Sequence, residues 1–284
     1  MNTTHDAAAK AAILLEALPY IRAWRSRTIV VKIGGQALED VNLTALVAED
    51  LALLTLVGVR VVVVHGGGPQ VSEAMRDAGI EPKFVDGRRV TDARSIEIAR
   101  RVLLGSINND LVASLGAAGL RAVGLSGADD GSLGATRLAG DLGHVGEVTS
   151  VRTDLVSVLL GQGFTPVVAS IAPGADGGPL NINADEVAGS LAIALGAEKL
   201  VFLTNVDGLY ADLGDEGSLI SELKAGELAS MVAGLSEGMR PKATAIVTAL
   251  EAGVGKAHIL DGRVPHALLL EIFTDEGIGT QVLP

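Results

Sequence analysis

The sequence predicts an α/β protein with a mainly parallel central sheet. Two observations support this fold class. Short apolar runs rich in β-branched residues, typical of strands, alternate with segments whose apolar residues recur at helical spacing. One run, residues 59–64, is apolar throughout, as expected of a strand buried on both faces. Ligands bind at the carboxyl ends of strands in such sheets, so motifs that follow strands become candidate sites.

An amphipathic helix over residues 6–24 is predicted ahead of the first strand. Its apolar residues fall on one stripe, and Pro19 is expected to kink or interrupt the helix. The helix either packs on its own subunit or forms an arm that packs on another subunit. The stripe comprises Ile13, Leu14, Ala17, Leu18 and Ile21.

The remaining elements alternate along a chain of 284 residues, long enough for one large domain or two lobes. Thr91 and Asp92 can cap one helix. Segments 129–146 and 174–178 are expected to be loops or short hairpins. A lobe boundary is placed near Gly196. We expect both lobes to share one sheet. Strands are predicted at 28–33, 59–64, 121–126, 165–169 and 200–204, and helices at 43–54, from Pro69, after Asp92, and at 154–160, 184–195, 225–234 and 241–252.

Composition and charge limit the classes of function. The net charge of −12 argues against nucleic acid or an anionic membrane as a partner, and an anionic substrate would need locally concentrated cations. The absence of cysteine excludes disulfides and thiolate chemistry, and it fits a cytoplasmic location. No apolar run approaches the ~18 residues of a membrane span. Asp6 and Glu16 argue against a signal peptide.

Two glycine-rich motifs follow strands and favour anion binding. Lys32 precedes Gly34 and Gly35, whose backbone N–H groups can approach phosphate oxygens, although a strand-end lysine can also be merely solvated. His65 precedes three glycines, residues 66–68, at a strand–helix junction where the helix dipole favours an anion; a flexible connector is the alternative. His65 itself could carry a proton, but we interpret it as a structural hydrogen-bonding residue.

Three later segments offer charged and amide side chains. Arg88 or Arg89 can bind a carboxylate through a bidentate fork, unless the pair is only at the surface, and the sequence does not choose between them. Asn181 can hold an amide or carboxylate and Asp185 can fix nearby lysines, unless this segment only caps a helix. Lys242 is predicted in the first turn of a helix, where the dipole disfavours a cation, and this indicates a functional reason for it.

Several common motifs are missing from the sequence. It contains no G-x-x-x-x-G-K-[ST] phosphate loop, no G-x-G-x-x-G, no protein-kinase signature, no H-E-x-x-H and no G-x-S-x-G. P-loop, dinucleotide-binding and protein-kinase classes therefore lose their main support.

In their order along the chain, the motifs resemble those of the amino acid kinase family, and within it the branch that phosphorylates N-acetyl-L-glutamate. The resemblance covers residues 28–284. It implies a three-layer αβα sandwich with an N-terminal oligomerisation arm (1–25), an N-terminal lobe for acetylglutamate binding and dimerisation (26–195), and a C-terminal lobe for ATP (196–284). The segments that carry it are Lys32-Ile33-Gly34-Gly35, His65-Gly66-Gly67-Gly68-Pro69, Gly87-Arg88-Arg89-Val90-Thr91-Asp92, Gly143-His144-Val145-Gly146-Glu147-Val148, Asn181-Ile182-Asn183-Ala184-Asp185 and Gly238-Met239-Arg240-Pro241-Lys242.

The resemblance also implies roles for individual residues. Lys32 and Lys242 would stabilise the transferred phosphoryl group, with Asp185 orienting both lysines. No protein metal site is implied, since Mg²⁺ would be held mainly by the ATP phosphates. The acetylglutamate site would comprise Gly67, Gly68, Arg89 and Asn181, and the nucleotide site would comprise Gly34, Gly35, Thr204, Asp207, Tyr210, Gly238 and Met239.

Both ends of the chain resemble the arginine-inhibited, ring-shaped members of the family. The N-terminal helix would join dimers into a hexamer, a trimer of dimers. The inhibitor L-arginine would bind at Tyr20, His258, Glu271 and Gly277. Alternatively, His258 is a histidine at a strand end whose hydrogen bonds are satisfied within the fold, and Glu271 is a solvated carboxylate on a helix.

The sequence departs from the family at residues 105–109, where many members are lysine-rich, and at 128–133. Neither segment is expected to touch the core motifs. Two other functions stay open: a sister kinase acting on carrier-bound aminoadipate, and a catalytically inactive nucleotide-sensing module. The acidic chain shows no basic run suited to an acidic carrier, and retention of Lys32 and Lys242 argues against an inactive module.

Overall fold

An eight-stranded sheet forms the centre of the computed structural model, which describes residues 15–85, 87–212, 214–274 and 277–284. The strands of the chain are β1 (Thr28–Ile33), β2 (Arg60–His65), β3 (Phe84–Val85), β4 (Arg88–Arg89), β5 (Ala122–Leu125), β6 (Leu133–Arg137), β7 (Val145–Val151), β8 (Thr165–Ala169), β9 (Ile171–Pro173), β10 (Pro179–Ile182), β11 (Lys199–Thr204), β12 (Leu209–Tyr210), β13 (Leu219–Ile220), β14 (Glu222–Lys224), β15 (Lys256–Asp261) and β16 (Thr280–Leu283). The central sheet has the order β14-β16-β15-β11-β1-β2-β8-β5, and all its pairs are parallel except β15–β16.

Helices cover both faces of this sheet. They are α1 (described over residues 15–24), α2 (Val41–Leu56), α3 (Gly68–Asp77), α4 (Ala93–Arg100), α5 (Asn108–Ala117), α6 (Asp154–Gly161), α7 (Ala184–Ala194), α8 (Ala225–Met231), α9 (Arg240–Glu251) and α10 (Ala267–Phe273), with a π-helical segment (Arg101–Ile107) joining α4 to α5. Asp92 caps α4 by accepting the Ser95 N–H, as the sequence predicted, and Asn183 caps α7. Among the described residues, no helix is long and apolar enough to cross a bilayer.

The side chains of the central strands alternate between two cores. On β1, Val30 packs into the core covered by α6, α7, α8 and α9, whereas Val31 packs into the core covered by α2, α5 and α10. Strands β2 and β11 alternate in the same way. Because both faces are buried, these strands read as continuous apolar runs. The predicted α/β fold, a three-layer αβα sandwich with a mainly parallel sheet, is confirmed.

The sheet topology brings three motif-bearing strand ends together. Strand β1 lies between β2 and β11, and all three run in the same direction. Ile33, the last residue of β1, is in register with His65 of β2 and Leu203 of β11. The turns after these strands therefore share one edge of the sheet.

One prediction of secondary structure is confirmed and one element was missed. Segment 129–146, expected to be loops or short hairpins, contains β6 and the start of β7, a hairpin that joins β10 and β9 in a separate four-stranded sheet. Helix α5 was not predicted, because its first turn is polar in sequence, yet Asn108 is buried there.

The N-terminal helix is described over residues 15–24, and residues 6–14 of the prediction lie outside the described part. The helix continues across Pro19 without a break, so the expected interruption is wrong for these residues. Tyr20 packs against the core and Trp24 is buried in it. This packing holds the segment helical although proline removes a backbone donor.

Candidate active site

A cleft of about 460 Å³ opens where the carboxyl ends of β1 and β2 meet the first turns of α3, α7 and α9. Sequence-predicted residues from five separate segments line it. They are Lys32, Gly34, Gly35, Gly67, Gly68, Arg89, Asn181, Asp185, Gly238 and Lys242. The fold thus collects residues that are up to 210 positions apart in sequence, the separation of Lys32 and Lys242.

Asp185 stands between the two lysines at the floor of the cleft. Lys32 Nζ lies 3.0 Å from Asp185 Oδ1, and Lys242 Nζ lies 3.0 Å from Asp185 Oδ2. Helices α7 and α9 each present one of these residues from their first turn. Lys242 also donates to the Gly238 carbonyl at 3.2 Å. The triad of Lys32, Asp185 and Lys242 therefore fixes two ammonium groups side by side.

The electrostatics of the triad favour an anionic ligand. Burial opposes ionisation of Asp185, which is 4% exposed, but the two lysines outweigh it and hold the pKa of this carboxyl below its usual value. Burial lowers the pKa of Lys32, and the neighbouring charge of Lys242 acts in the same direction, against the attraction of Asp185. Two cations share one carboxylate, so the triad has one positive charge in excess.

Glycines keep the cleft open beside the triad. A Cβ atom at Gly34 would lie 2.5 Å from Lys32 Nζ, so any side chain there would displace the ammonium group. Gly35 has φ +61°, and a Cβ there would collide with the Asn205 side chain. A Cβ at Gly67 would collide with Ile107 of the π-helical segment. Gly35 therefore needs glycine for its backbone conformation, and at Gly34 and Gly67 a side chain would have to displace the end of Lys32 or of Ile107.

Arg89 is a buried guanidinium that faces the cleft. It donates to the Gly68 carbonyl at 2.7 Å and to Ser72 Oγ at 2.8 Å, and its guanidinium lies 4.8 Å from the centre of the Phe84 ring. Among the described residues, no carboxylate lies within ion-pair distance of it, and burial lowers its pKa. Arg88, by contrast, is half-exposed and pairs with Glu186 at 3.4 Å. The geometry therefore favours Arg89 over Arg88 as the anion-binding residue.

Asn181 reaches the cleft from β10. Its backbone N–H donates to the His144 carbonyl at 2.9 Å, and its side-chain amide lies 3.5 Å from Thr91 Oγ1. These contacts tie together the segments around residues 91, 144 and 181, each of which the sequence singled out.

Four predicted nucleotide residues lie outside this cleft. Thr204 ends β11, and beyond it the Tyr210 hydroxyl donates to Asp207 at 2.6 Å in an exposed loop. Met239 precedes α9 and packs on the core. The loop lies beside the glycine turn, since Asn205 contacts the space above Gly35. The structure therefore places these residues next to the cleft without bringing them into it.

A second cavity, also of about 460 Å³, lies at the other end of the sheet. Tyr20, His258, Glu271 and Gly277, all four residues proposed for arginine, line it. Glu271 is 9% exposed, so the alternative of a solvated helix charge is wrong.

Lys199, His258 and Glu271 form a buried cluster beside this cavity, and the sequence analysis did not identify Lys199. It is fully buried at the start of β11 and forms an ion pair with Glu271 Oε1, to which His258 Nε2 also lies at 2.9 Å. Burial lowers the pKa of Lys199 to about 8 and that of His258 to about 4. Burial opposes ionisation of Glu271, but His258 and Lys199 lower its pKa to about 2. A lysine that begins a strand is normally solvated, so the burial of Lys199 could not be predicted from the sequence.

Asn108 is a second missed residue, and it overturns a prediction. The segment 105–109 was expected to touch none of the core motifs. Asn108 Nδ2 lies 3.0 Å from His65 Nε2, directly beneath the turn formed by residues 66–68. Two successive asparagines at a helix start look solvated, so only the three-dimensional contact identifies the buried one.

Comparison with known proteins decides the family. The sequence pattern of the amino acid kinase family matches residues 27–261. The chain belongs to the amino acid kinase family. Family members named acetylglutamate kinase include one from Symbiobacterium thermophilum, 52% identical over 96% of this chain and 97% of its own length. Another, from Acidothermus cellulolyticus, is 48% identical over 97% of each chain.

A solved structure agrees with this family assignment. The N-acetylglutamate synthase from Neisseria gonorrhoeae, complexed with coenzyme A and N-acetyl-glutamate, superposes with a TM-score of 0.86 and 30% identity. The match covers 96% of this chain but 63% of the synthase, which is longer. The same synthase complexed with coenzyme A and L-arginine gives a TM-score of 0.82 at 29% identity.

Proposed function

We propose that the chain is an N-acetyl-L-glutamate kinase that transfers the γ-phosphoryl group of ATP to the side-chain carboxylate of N-acetylglutamate. The products are N-acetylglutamyl 5-phosphate and ADP, in arginine biosynthesis. One observation carries the proposal: the triad of Lys32, Asp185 and Lys242 shares a cleft with Arg89, a buried cation that has no carboxylate partner among the described residues. Relatives that carry this enzyme name match nearly the whole chain.

Arg89 is suited to hold the α-carboxylate of the acceptor. Its guanidinium is a fixed cation whose Nη2 already donates to the Gly68 carbonyl and Ser72 Oγ, so a carboxylate would bind its remaining N–H groups or replace these two contacts. Asn181 lines the same cleft and offers an amide to the polar part of the acceptor. The acceptor would then direct its side-chain carboxylate towards the triad.

In the transfer step, an oxygen of that carboxylate attacks the γ-phosphorus, and the bond from this phosphorus to the bridging oxygen of ADP breaks. No proton moves, because the nucleophile is already ionised. The transition state spreads negative charge over the phosphoryl oxygens, so catalysis depends on positioning and electrostatic stabilisation. Lys32 and Lys242 supply cations on the transferred group, and Asp185 keeps both at fixed positions.

Mg²⁺ would arrive with ATP and neutralise phosphate charge. Among the residues that the structure describes, no group of three or more His, Asp or Glu side chains is arranged to hold a metal ion. Asp185 is already shared by two lysines. The ion would therefore be held mainly by the nucleotide phosphates. Gly34, Gly35 and Gly238 would face the phosphates. Met239 and the loop with Thr204, Asp207 and Tyr210 would receive the rest of the nucleotide.

The two lobes divide these tasks in the proposal. The N-terminal lobe, residues 26–195, would bind acetylglutamate and form a homodimer. The C-terminal lobe, residues 196–284, would bind ATP. Residues 1–25 would join dimers into a hexamer, and a cytoplasmic location is part of the same proposal.

The test is a coupled assay of ADP release with a panel of acceptors. We expect release with acetylglutamate and little with glutamate, whose free ammonium would approach the cationic cleft. Carrier-bound aminoadipate is expected to be a poor acceptor. Faster turnover with that carrier would favour the sister kinase, and binding of ATP without turnover of any acceptor would favour the nucleotide-sensing module.

We further propose that L-arginine inhibits the enzyme from the second cavity. Glu271 stays ionised there because its pKa is about 2, and a carboxylate pairs well with a guanidinium. Tyr20 of α1 and Gly277 line the same cavity, so a ligand would contact both ends of the chain. Inhibition would follow if arginine favours a subunit arrangement that holds the two lobes apart, a linkage between two sites.

Arginine titrations of two matched variants test this regulation. We expect Glu271→Gln to raise the half-inhibiting arginine concentration by about tenfold or more, which corresponds to one lost charge-assisted contact. Glu251→Gln removes an exposed charge from α9 and is expected to behave as the parent protein. Equal responses in both variants, or none in the parent protein, would remove the arginine proposal and leave the kinase proposal standing.

A further inference from the structure

A chain of hydrogen bonds lies beneath the glycine turn of the cleft and outside the mechanism described so far. Asn108 Nδ2 donates to the Val167 carbonyl at 2.9 Å and lies 3.0 Å from His65 Nε2. His65 Nδ1 lies 2.9 Å from the Gly66 carbonyl. His65 is fully buried, and Asn108 is 6% exposed. The chain thus links β8, α5 and the turn that follows β2.

The contacts define which nitrogen of His65 carries the proton. The amide nitrogen of Asn108 has two hydrogens, one directed to Val167 and one to His65 Nε2. The opposite amide orientation would place two acceptors, Oδ1 and the Val167 carbonyl, against each other. His65 Nε2 therefore accepts, and the ring proton is on Nδ1, which donates to the Gly66 carbonyl.

The imidazole is also held neutral. Burial lowers the pKa of His65 to about 4, and the charge of Lys32 on β1 acts in the same direction. A second cation at this position would repel the ammonium group that the triad needs. A single neutral tautomer therefore lies under the turn at neutral pH.

This hydrogen bond orients the peptide group between Gly66 and Gly67. The described residues contain no cis peptide bond, and in a trans peptide the C=O and N–H groups point in opposite directions. With the Gly66 carbonyl directed at His65, the Gly67 N–H points away from the imidazole, towards the cleft that these glycines line. The His65 side chain therefore sets, from the buried side of the turn, the direction of a backbone N–H that can donate a hydrogen bond to a phosphate oxygen.

We propose that Asn108 and His65 are positioning residues for phosphoryl transfer. Asn108 selects the Nδ1–H tautomer of His65, His65 holds the Gly66 carbonyl, and the Gly67 N–H is thereby aimed at the transferred group. The inference rests on the proposed kinase function of this cleft. Neither residue touches the reacting atoms, so each acts through the backbone of the turn.

Two substitutions of His65 separate positioning from space filling. Asparagine can place its amide N–H near the position of Nδ1, whereas glutamine reaches the position of Nε2 and cannot serve the Gly66 carbonyl. We expect kcat to fall by about tenfold to a hundredfold in His65→Gln, the range for a misplaced rather than deleted donor, with a smaller change in KM. His65→Asn should retain more of the parent kcat. A residue that only fills space would give the reverse order, because glutamine is closer to histidine in size.

A second matched pair tests the role of Asn108. Asn108→Asp and Asn109→Asp add the same charge one residue apart in α5, but Asn109 is exposed. We expect Asn108→Asp to lose kcat as His65→Gln does, because a carboxylate can no longer donate to Nε2. Asn109→Asp should match the parent protein. Equal kcat in the two variants would contradict the proposal.

The tautomer itself can be observed without substrate. In protein labelled with ¹⁵N-histidine, two-bond ¹H–¹⁵N correlations distinguish Nδ1–H from Nε2–H, and the His65→Gln spectrum identifies the signal. We expect the neutral Nδ1–H form at pH 7, and an Nε2–H form would overturn the inference. Since this measurement requires no turnover, its outcome is independent of whether acetylglutamate is the acceptor.

Discussion

Asp185 and Glu271 are both buried carboxylates that each hold two basic side chains, yet they differ in net charge and in position. Asp185 pairs with Lys32 and Lys242, and both lysines are cations. Glu271 pairs with Lys199, but its second partner is a histidine that burial keeps neutral. The first cluster has one positive charge in excess, and the second is electrically balanced.

The two clusters also lie on opposite faces and at opposite ends of one sheet. Lys32 is near the carboxyl end of β1, on the face covered by α7 and α9, as is its neighbour on that face, Val30. Lys199 begins β11, on the face covered by α2 and α10, together with Val201. An excess of cations suits the phosphoryl group of the proposed reaction, whereas the balanced cluster has no excess positive charge that would repel the arginine proposed to bind there.

The largest expected effect comes from neutralising a lysine of the triad of Lys32, Asp185 and Lys242, called the charged cluster from here on. We expect Lys32→Met and Lys242→Met each to lower kcat by about 10²–10³ or more, as found when one donor to a transition state is removed. Circular dichroism and thermal unfolding would show whether the fold is intact. Near-normal turnover in either variant would break the assignment of the triad.

Lys199→Met is the matched control from the balanced cluster. Without arginine its kcat should stay near that of the parent protein. Its free energy of unfolding should fall by roughly 3–5 kcal/mol, because Glu271 loses a buried ionic partner. If kcat fell as far as in Lys32→Met, the proposed difference between the clusters would be wrong.

An intermediate effect is expected from Arg89, which contributes a further cation to the charged cleft. Arg89→Lys keeps the charge but loses the planar fork. We expect the KM for acetylglutamate to rise by about tenfold or more, which corresponds to a lost charge-assisted contact, with little change in the KM for ATP. Initial rates with each substrate varied in turn measure both constants. If Arg88→Lys gave this pattern instead, the neighbouring arginine would be the acceptor-binding residue.

The smallest effects concern pH and stability. His258 has a pKa of about 4 in the folded protein against an ordinary value of 6.5, so between these values the unfolded chain binds a proton that the folded chain does not. Stability from this residue is therefore complete above pH 6.5 and is lost as pH falls towards 4, with a slope of at most about 1.4 kcal/mol per pH unit. His65 contributes in the same direction.

Urea unfolding between pH 7 and 4 checks this expectation. His258→Gln should reduce the slope of stability against pH while leaving the contribution of His65. An unchanged slope would show that His258 is not kept neutral by burial. The pKa of Glu271 extends the loss below this range, from pH 4.5 towards 2.

The sequence predicted the charged cluster better than the balanced one, for a physical reason. Lys32, Gly34 and Gly35 follow a recognisable strand, and a parallel sheet places such ends together. Lys199 and Asn108 carry no comparable pattern, because their burial depends on side chains far away in sequence. The choice between Arg88 and Arg89 also required the structure. The two arginines are neighbours on one strand of a hairpin, but Arg88 pairs with Glu186 whereas Arg89 contacts the glycine turn at Gly68.

The most direct test of the central claim is to capture the product of the transfer. Protein, ATP, Mg²⁺ and acetylglutamate are incubated with hydroxylamine, which converts an acyl phosphate into a stable hydroxamate. We expect one acetylglutamyl hydroxamate for each ADP released, with both signals lost in Lys32→Met and in the absence of acetylglutamate. ADP release that does not require acetylglutamate, or that yields no hydroxamate, would contradict phosphoryl transfer to this carboxylate.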